Sequence, residues 1–177
     1  MHSLYSRFNN ATAFLSSCLM ALLAAIALSS FLFTADPKGD IAIGSIQVLP
    51  GNARRYANKR QEFAFVNFNV TADLTSLFNW NTKQLFLYVS AEYTNQQGVA
   101  NEVVIWDQIV HREEDARISV AGRNKYHFRE LSASFRDVSP AFYTLKYNVM
   151  PYVGVLTYGE AARTPNPVPF PEQQQLS

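Results

Sequence analysis

The sequence contains very little cysteine and little charge. Its 177 residues include one cysteine and 16% charged residues, whereas an average soluble domain has about 25% charged residues. A single cysteine excludes an internal disulfide framework and any multi-cysteine zinc or iron–sulfur centre. The length corresponds to one compact domain with little chain left over.

The few charges are unevenly distributed along the chain. No ionised side chain occurs from Phe8 to Ala35, only Arg7 of the 15 basic residues precedes this span, and all 14 acidic residues follow it. The part after the span is therefore formally neutral and has no basic stripe. This excludes nucleic acid as an expected partner, because phosphate neutralisation requires clustered Lys and Arg.

The uncharged span contains an apolar run from Ala11 to Phe33, in which 18 of 23 residues are apolar. As a helix this run would extend roughly 34 Å, enough for a hydrocarbon core of about 30 Å. It fits either a cleaved signal peptide, with small-residue cleavage sites near Ala27 and Ala35, or a retained signal-anchor. The length favours the anchor, because an ordinary signal peptide has an apolar region of about 7–15 residues.

Arg7 is the predicted determinant of topology. Under the positive-inside rule, residues 1–10 lie in the cytosol, residues 11–33 span the membrane and residues 34–177 lie on the far side. The domain on that side has no cysteine, because Cys18 lies within the apolar run. It must therefore fold on a hydrophobic core, which about 140 residues can supply.

After residue 40 the apolar pattern has mostly a period of two. We predict one transmembrane α-helix followed by an all-β domain, an antiparallel β-sandwich. Its first strand should contain a bulge near Gly44, and residues 95–98 should form a hairpin turn. The expected strands cover residues 41–48, 63–70, 84–93, 102–110, 117–120, 125–129 and 143–150.

Two segments depart from the strand pattern. Residues 73–78 have the spacing of a single helical turn that Asp73 could cap. The C-terminal tail, about 162–177, has proline at every second position from Pro165 to Pro171. Proline cannot join the interior of a sheet, so we expect the tail to run extended along the surface.

Residues suited to catalysis are few. His111 lies in an acidic stretch expected to be a solvated loop, and His127 is expected on the face of a strand. Asp73 and Asp107 could form a catalytic carboxylate pair, but a turn cap explains Asp73 and a strand-edge hydrogen bond explains Asp107. The sequence has no nucleophile-elbow, phosphate-loop or zinc-peptidase motif. We therefore predict no catalytic, cofactor-binding or metal-binding residue, and no cofactor.

The sequence contains two acceptor motifs for N-glycosylation. Asn69 precedes Val70 and Thr71, and should point away from the apolar side chains of its strand, so it is a candidate site. Asn10 would face the cytosol at the membrane edge and should not be modified.

The aromatic residues are more numerous than one face of a small sandwich needs. Both faces of the 84–93 strand are apolar, as in a strand covered on two sides. Some aromatics could contact a partner protein, or they could belong to a large core and a girdle near the membrane; both interpretations stay open. The candidates are Trp80, Phe86, Tyr88, Tyr93 and Trp106.

Several blocks of the chain resemble subunit 3 of the eukaryotic signal peptidase complex. The longest block runs from Thr71 to Tyr93 and includes Trp80-Asn81 and Ala91-Glu92-Tyr93. The similarity covers nearly the whole chain but is poor over residues 50–62 and 111–140. It continues at Trp106-Asp107, at Asn148-Val149-Met150-Pro151 with Gly154, and at Val168-Pro169-Phe170-Pro171.

This resemblance implies a type II, single-pass protein of the endoplasmic-reticulum membrane with a lumenal β-sandwich and a retained anchor. Such subunits have no peptidase site. They pack against a separate catalytic subunit and meet signal-peptide-bearing nascent chains only indirectly. Family members are often glycosylated, which keeps Asn69 a candidate. The alternative from another class is a membrane-anchored or secreted module that binds carbohydrate or peptide, with Trp80, Tyr88 and Trp106 lining a groove.

Overall fold

A computed structural model describes residues 3–53, 59–130 and 132–174. It begins with helix α1 (Leu4–Ser29), extended by one 3₁₀ turn over Ser30–Leu32. The side chain of Ser3 accepts a 3.2 Å hydrogen bond from the Ser6 amide and caps the start. The helix thus begins before the apolar run and places Arg7 in its early turns. Together the two segments are long and apolar enough to cross a membrane.

The strands form two antiparallel sheets, which confirms the predicted β-sandwich. One sheet has the order β1-β2-β5, with β6 also paired to β2, and the other has the order β4-β3-β7-β8. The strands are β1 (Lys38–Ala53), β2 (Lys59–Asp73), β3 (Thr82–Thr94), β4 (Ala100–Val110), β5 (Arg117–Arg123), β6 (Phe128–Arg129), β7 (Phe142–Pro151) and β8 (Thr157–Arg163).

Two local predictions on the strands are confirmed. The register of β1 against β2 shifts between Ile43 and Ser45, at the expected bulge. The hairpin from β3 to β4 turns at residues 95–98, where Gly98 has a φ of +77°. The Asn95 side chain accepts hydrogen bonds from the amides of Gln97 and Val99 and holds the turn closed.

The core lies between the sheets and is built from alternate residues. Leu85, Leu87 and Val89 of β3 are fully buried and belong to one cluster with alternate residues of β2. Strand β4 has one extra residue opposite Val89 and Ser90, so Ile105 and Trp106 both turn inward. The Trp106 ring packs edge-to-face on Phe68 of the other sheet, with ring centroids 6.0 Å apart.

The predicted strand over 125–129 is wrong for its first three residues. The Lys125 and Tyr126 amides both donate to the carbonyl of Ile105 in β4. The chain therefore crosses between the sheets here, and only Phe128–Arg129 pairs as β6. His127 consequently lies in the crossing segment rather than on a strand face.

The tail runs extended along the sandwich as predicted, but two of its side chains turn inward. Val168 forms an antiparallel bridge with Ala141, and the Phe170 ring packs among buried aromatic rings. Proline at every second position leaves Val168 and Phe170 on the opposite side of the extended chain, which faces the core, while Pro169 stays exposed. The predicted single turn after Asp73 is present as a 3₁₀ helix, Thr75–Leu77.

Candidate partner-binding face

The outer side of the β4-β3-β7-β8 sheet carries a small apolar surface that is half-buried at two aromatic rings and exposed at Ile109. Leu85 and Leu87 of β3 fill the core, so the alternating positions Phe86 and Tyr88 point outward. Their rings stack with centroids 5.7 Å apart and an interplanar angle of 28°. Ile109 of β4 lies directly across from Phe86 and is 46% exposed. We call Phe86, Tyr88 and Ile109 the aromatic face.

One border of the aromatic face is an ion pair around Asp107, which lies across from Tyr88 on β4. Its Oδ1 accepts hydrogen bonds from Lys125 Nζ at 2.7 Å and from the Tyr126 hydroxyl at 2.6 Å. The Lys125 hydrogen bond, followed by that of Tyr126, lowers the pKa of Asp107. The carboxylate thus stays ionised and holds the crossing segment against β4.

The other border is an ion-pair network around Lys146, which lies across from Tyr88 on β7. Lys146 Nζ contacts Glu92 at 2.6 Å and Glu102 at 2.8 Å, and Arg163 contacts Glu92 at 3.1 Å. Burial alone would lower the pKa of Lys146, but its bonds to Glu102 and Glu92 outweigh burial and raise that pKa. The same Lys146 bond lowers the pKa of Glu102.

The aromatic face is therefore an apolar centre with charged borders on both sides. This arrangement is common in protein–protein interfaces, where aromatic residues occupy the centre and the polar rim stays hydrated. The Lys146 network also links the side chains of four neighbouring strands, β3, β4, β7 and β8.

The other predicted aromatics lie elsewhere. Tyr93 is only 6% exposed, and its hydroxyl donates a 2.5 Å hydrogen bond to Glu130 Oε2. Burial, with the nearby Glu130, raises the pKa of Tyr93. Trp106 faces the core. Trp80 is 57% exposed and precedes β3 at the end of the sandwich next to α1. The five aromatics therefore divide among the core, the outer sheet surface and the helix-proximal end.

Asn69 lies on the outer side of the other sheet, in the middle of β2. It is exposed, and its neighbours Phe68 and Val70 are buried, as the alternation predicted. Asn67 and Thr71 share this exposed side, which is polar. An acceptor for glycosylation here would be accessible and would lie on the sheet opposite the aromatic face.

Both carboxylates considered as a catalytic pair make local contacts. Asp73 accepts bonds from the Thr75 hydroxyl and amide and contacts Arg117, and the Thr75 hydroxyl is the main cause of the lowered pKa of Asp73. Asp107 lies on the other sheet. His111 is exposed after β4. Across residues 3–53, 59–130 and 132–174, no three His, Cys, Asp or Glu side chains are arranged to hold a metal ion.

The His127 ring packs edge-to-face on Phe63, with ring centroids 5.9 Å apart. It therefore serves as a packing contact beside β2 in this structure.

Sequence reasoning missed Asn81, which joins the helix to the sandwich. It is 1% exposed, and its Nδ2 donates to Ser30 Oγ and to the Val153 carbonyl, each at 2.7 Å. Its Oδ1 accepts from the Val153 amide at 3.2 Å. A buried amide with three partners is a structural tie. Its position after Trp80 in an uncharged stretch could have drawn attention, but nothing local identifies its partners.

The described residues define a class of protein: a helix long and apolar enough to cross a membrane is tied to a β-sandwich that has a partly exposed aromatic surface on one sheet. Comparison with known proteins narrows that class. The model of a family described as signal peptidase subunit matches residues 1–173. The chain belongs to this family.

Individual relatives match this chain over nearly the full length of both sequences. A Caenorhabditis briggsae protein named signal peptidase complex subunit 3 is 36% identical over 174 residues, covering 97% of this chain and 95% of that protein. Proteins of the same name from Gallus gallus and Homo sapiens are 33% and 30% identical over 182 residues, covering 100% of this chain and 98% of each relative.

Proposed function

We propose that this chain is a non-catalytic subunit of the signal peptidase complex that supports the catalytic subunit while signal peptides are removed from nascent secretory proteins. Helix α1 would be a retained anchor in the endoplasmic-reticulum membrane, with Arg7 on the cytosolic side and the sandwich in the lumen. The catalytic residues would belong to another subunit. Nascent chains would meet this one only indirectly.

The observation that carries the proposal is the aromatic face in a chain of this family. Phe86, Tyr88 and Ile109 form an apolar surface on a four-stranded sheet, between two sets of ion pairs. Such a surface suits a folded protein partner, because a pre-formed sheet surface with aromatic residues at its centre can bury area without rearrangement of its backbone. Asn69, on the opposite sheet, leaves the aromatic face free if it carries a glycan.

The alternative of a carbohydrate- or peptide-binding groove finds less support. It requires Trp80, Tyr88 and Trp106 to line one groove. Trp106 packs on Phe68 inside the sandwich, Tyr88 lies on the outer sheet surface, and Trp80 lies before β3 at the helix-proximal end. The three side chains therefore do not form a common binding surface.

Affinity capture tests the partner surface. Tagged full-length chain, purified from detergent-solubilised membranes, should bring signal-peptide cleavage activity with it. Phe86→Glu should reduce the recovered activity by about tenfold or more, since losing a central apolar contact costs about 1–3 kcal/mol of binding. Phe86→Leu should retain most of it.

The matched control is Asn67→Glu, which adds the same charge to the outer side of the other sheet. It should recover the wild-type activity, and thermal unfolding in detergent should show that all three variants are folded. Wild-type recovery with folded Phe86→Glu would exclude the aromatic face as the interface. Cleavage of a pre-protein by the purified chain alone would contradict the non-catalytic assignment.

A further inference from the structure

Two uncharged stretches meet at the end of the sandwich next to α1. No charged residue occurs between Asp73 and Lys83, or between Lys146 and Glu160. The first stretch leads into the start of β3, and the second contains the end of β7 and the loop 152–156 before β8. Because β3 and β7 are antiparallel neighbours, the two stretches lie side by side.

The loop 152–156 is fixed against the helix. The Asn81 amide joins Val153 to Ser30, as described above. Gly154 lies beside Ala27, where an added Cβ would stand 3.3 Å from the Ala27 Cβ, and its φ of +121° is one that other residues rarely adopt. Glycine is therefore required here both by backbone conformation and by the close approach.

These contacts set the depth of the loop relative to the anchor. Ala27 and Ser30 precede Phe33, the end of the apolar run, by six and three residues. At about 1.5 Å per helical residue, the loop meets the helix about 5–9 Å on the membrane side of that end. The first charges beyond the helix, Asp36 and Lys38, form an exposed ion pair further along the chain.

The side chains at this end are apolar and face outward. Tyr152, Val155 and Tyr158 are 67%, 75% and 71% exposed, respectively. A cleft of about 290 Å³ between the helix and the sandwich continues this surface and is lined by Phe31, Phe33 and Val155, among others. We call the exposed set the apolar rim: Trp80, Tyr152, Val155, Leu156 and Tyr158.

We propose that the apolar rim inserts into the lipid headgroup and acyl boundary around the exit of the anchor. The occupant is lipid rather than a protein, because the rim is continuous with an apolar helix that has no buried residue and is long enough to cross a bilayer. Trp and Tyr favour this boundary, since their rings are apolar and their N–H and O–H groups stay hydrated. The inference rests on the membrane anchorage proposed above.

Insertion would give the sandwich a fixed tilt and height. A single helix followed by a flexible chain would leave the domain free to swing. The rim adds a second point of attachment to the same leaflet, and the Asn81 tie makes the two points rigid relative to each other. The aromatic face would then be held at a constant height above the bilayer.

Tryptophan quenching tests the insertion directly, since the chain has two tryptophans. In full-length Trp106→Phe the one remaining tryptophan is Trp80, which lies in the rim. In Trp80→Phe it is Trp106, which lies in the core. Both proteins are reconstituted into nanodiscs of ordinary lipid or of lipid brominated on its acyl chains. Brominated lipid should remove most of the Trp80 emission and little of the Trp106 emission.

A second pair of variants controls for changes in folding. In the Trp106→Phe background, Val155→Asp with Leu156→Asp should restore much of the Trp80 emission, because two charges oppose insertion. Val99→Asp, at the hairpin on the opposite end of the sandwich, should leave the quenching unchanged.

Retention of the chain in the discs is measured separately by size exclusion. Unquenched Trp80 in a chain that stays in the discs would overturn the inference and leave the rim to a protein partner or to water. Release of the chain from the discs would overturn the anchorage and the inference with it.

Discussion

The side-chain amide of Asn81 donates a 2.7 Å hydrogen bond to the hydroxyl of Ser30, across 51 residues of sequence. Ser30 lies in the last turn of the apolar helical segment, and Asn81 lies immediately before β3. The same amide nitrogen also donates to the Val153 carbonyl, and the amide oxygen accepts from the Val153 N–H. One buried side chain thus joins the helix, the start of β3 and the loop after β7.

Replacing Asn81 with alanine should destabilise the folded domain by about 1–3 kcal/mol, because it removes a buried side chain and leaves the partly buried backbone groups of Val153 without their partners. Thermal unfolding of the full chain in detergent, followed by near-ultraviolet circular dichroism, measures the loss. The control is Asn67→Ala, whose bond to Ser45 is exposed; it should change stability by less than about 0.5 kcal/mol. Equal effects of the two variants would contradict the assigned role of Asn81.

Replacing Phe170 with alanine should destabilise the protein by about 3 kcal/mol, the lower end of the range for a Phe→Ala change in a core, because the ring is only partly buried. Phe170 packs on Phe135 and Phe128 with centroid distances of 4.8 and 5.6 Å. The exposed Glu172→Ala variant is the control and should be neutral. Unfolding by urea at constant detergent concentration gives both values. A neutral Phe170→Ala variant would show that the tail is dispensable for the core.

Translation in the presence of microsomes should attach one glycan to this chain, at Asn69. Asn69→Gln should remove the mobility shift that endoglycosidase also removes, whereas Thr71→Ser should preserve it, since serine also completes the acceptor motif. Asn10→Gln should have no effect, because Asn10 lies on the cytosolic side in the proposed topology. If Asn10→Gln abolished the mobility shift, the N-terminus would lie in the lumen and the proposed topology would be wrong.

Stability should fall in acid partly through Glu102. Its pKa is lowered from the ordinary 4.5 in the folded state, chiefly by the bond from Lys146. The stabilisation is therefore fully present above about pH 4.5 and is lost as the pH falls through the lower folded value. The free energy of unfolding, measured between pH 6 and pH 3, should fall less steeply in Glu102→Gln than in wild type.

Lys146→Met is the matched test of the cause, since it removes the cation and leaves the carboxylate. The free energy of unfolding of Lys146→Met should fall less steeply than that of wild type over the same pH range. The double variant with Glu102→Gln should have nearly the same slope as Lys146→Met. An unchanged slope in Glu102→Gln would mean that another carboxylate carries the acid sensitivity.

The local features of this chain could be predicted because local physics decides them. An uninterrupted apolar run forms a helix wherever its backbone cannot bond to water. Alternation over 84–93 makes a strand, and the shift of alternation at Gly44 marks a bulge whatever the strand pairs with. The fold class followed from these patterns.

The positions of the aromatic residues could not be predicted in the same way. Both faces of β3 are apolar, so its pattern does not say which face meets the other sheet. The extra residue in β4 turns Trp106 into the core. Phe86 pairs with Ile109 on the outer side of the sheet, which faces away from the other sheet. The inward side of the tail could not be predicted for a similar reason. The sequence shows that proline excludes the tail from a sheet interior, but the contacts of Phe170 with Phe128 and Phe135 join residues far apart in the chain.

The sequence by itself determined the long apolar helix, the sandwich and the absence of any familiar catalytic motif, because each depends on neighbouring residues. Only the tertiary structure decided which aromatics are buried, which form the aromatic face and which lie at the end of the sandwich next to α1. Those outcomes depend on contacts between residues far apart in the chain, such as Asn81 with Ser30, and no local pattern encodes the partner of a hydrogen bond that spans 51 residues.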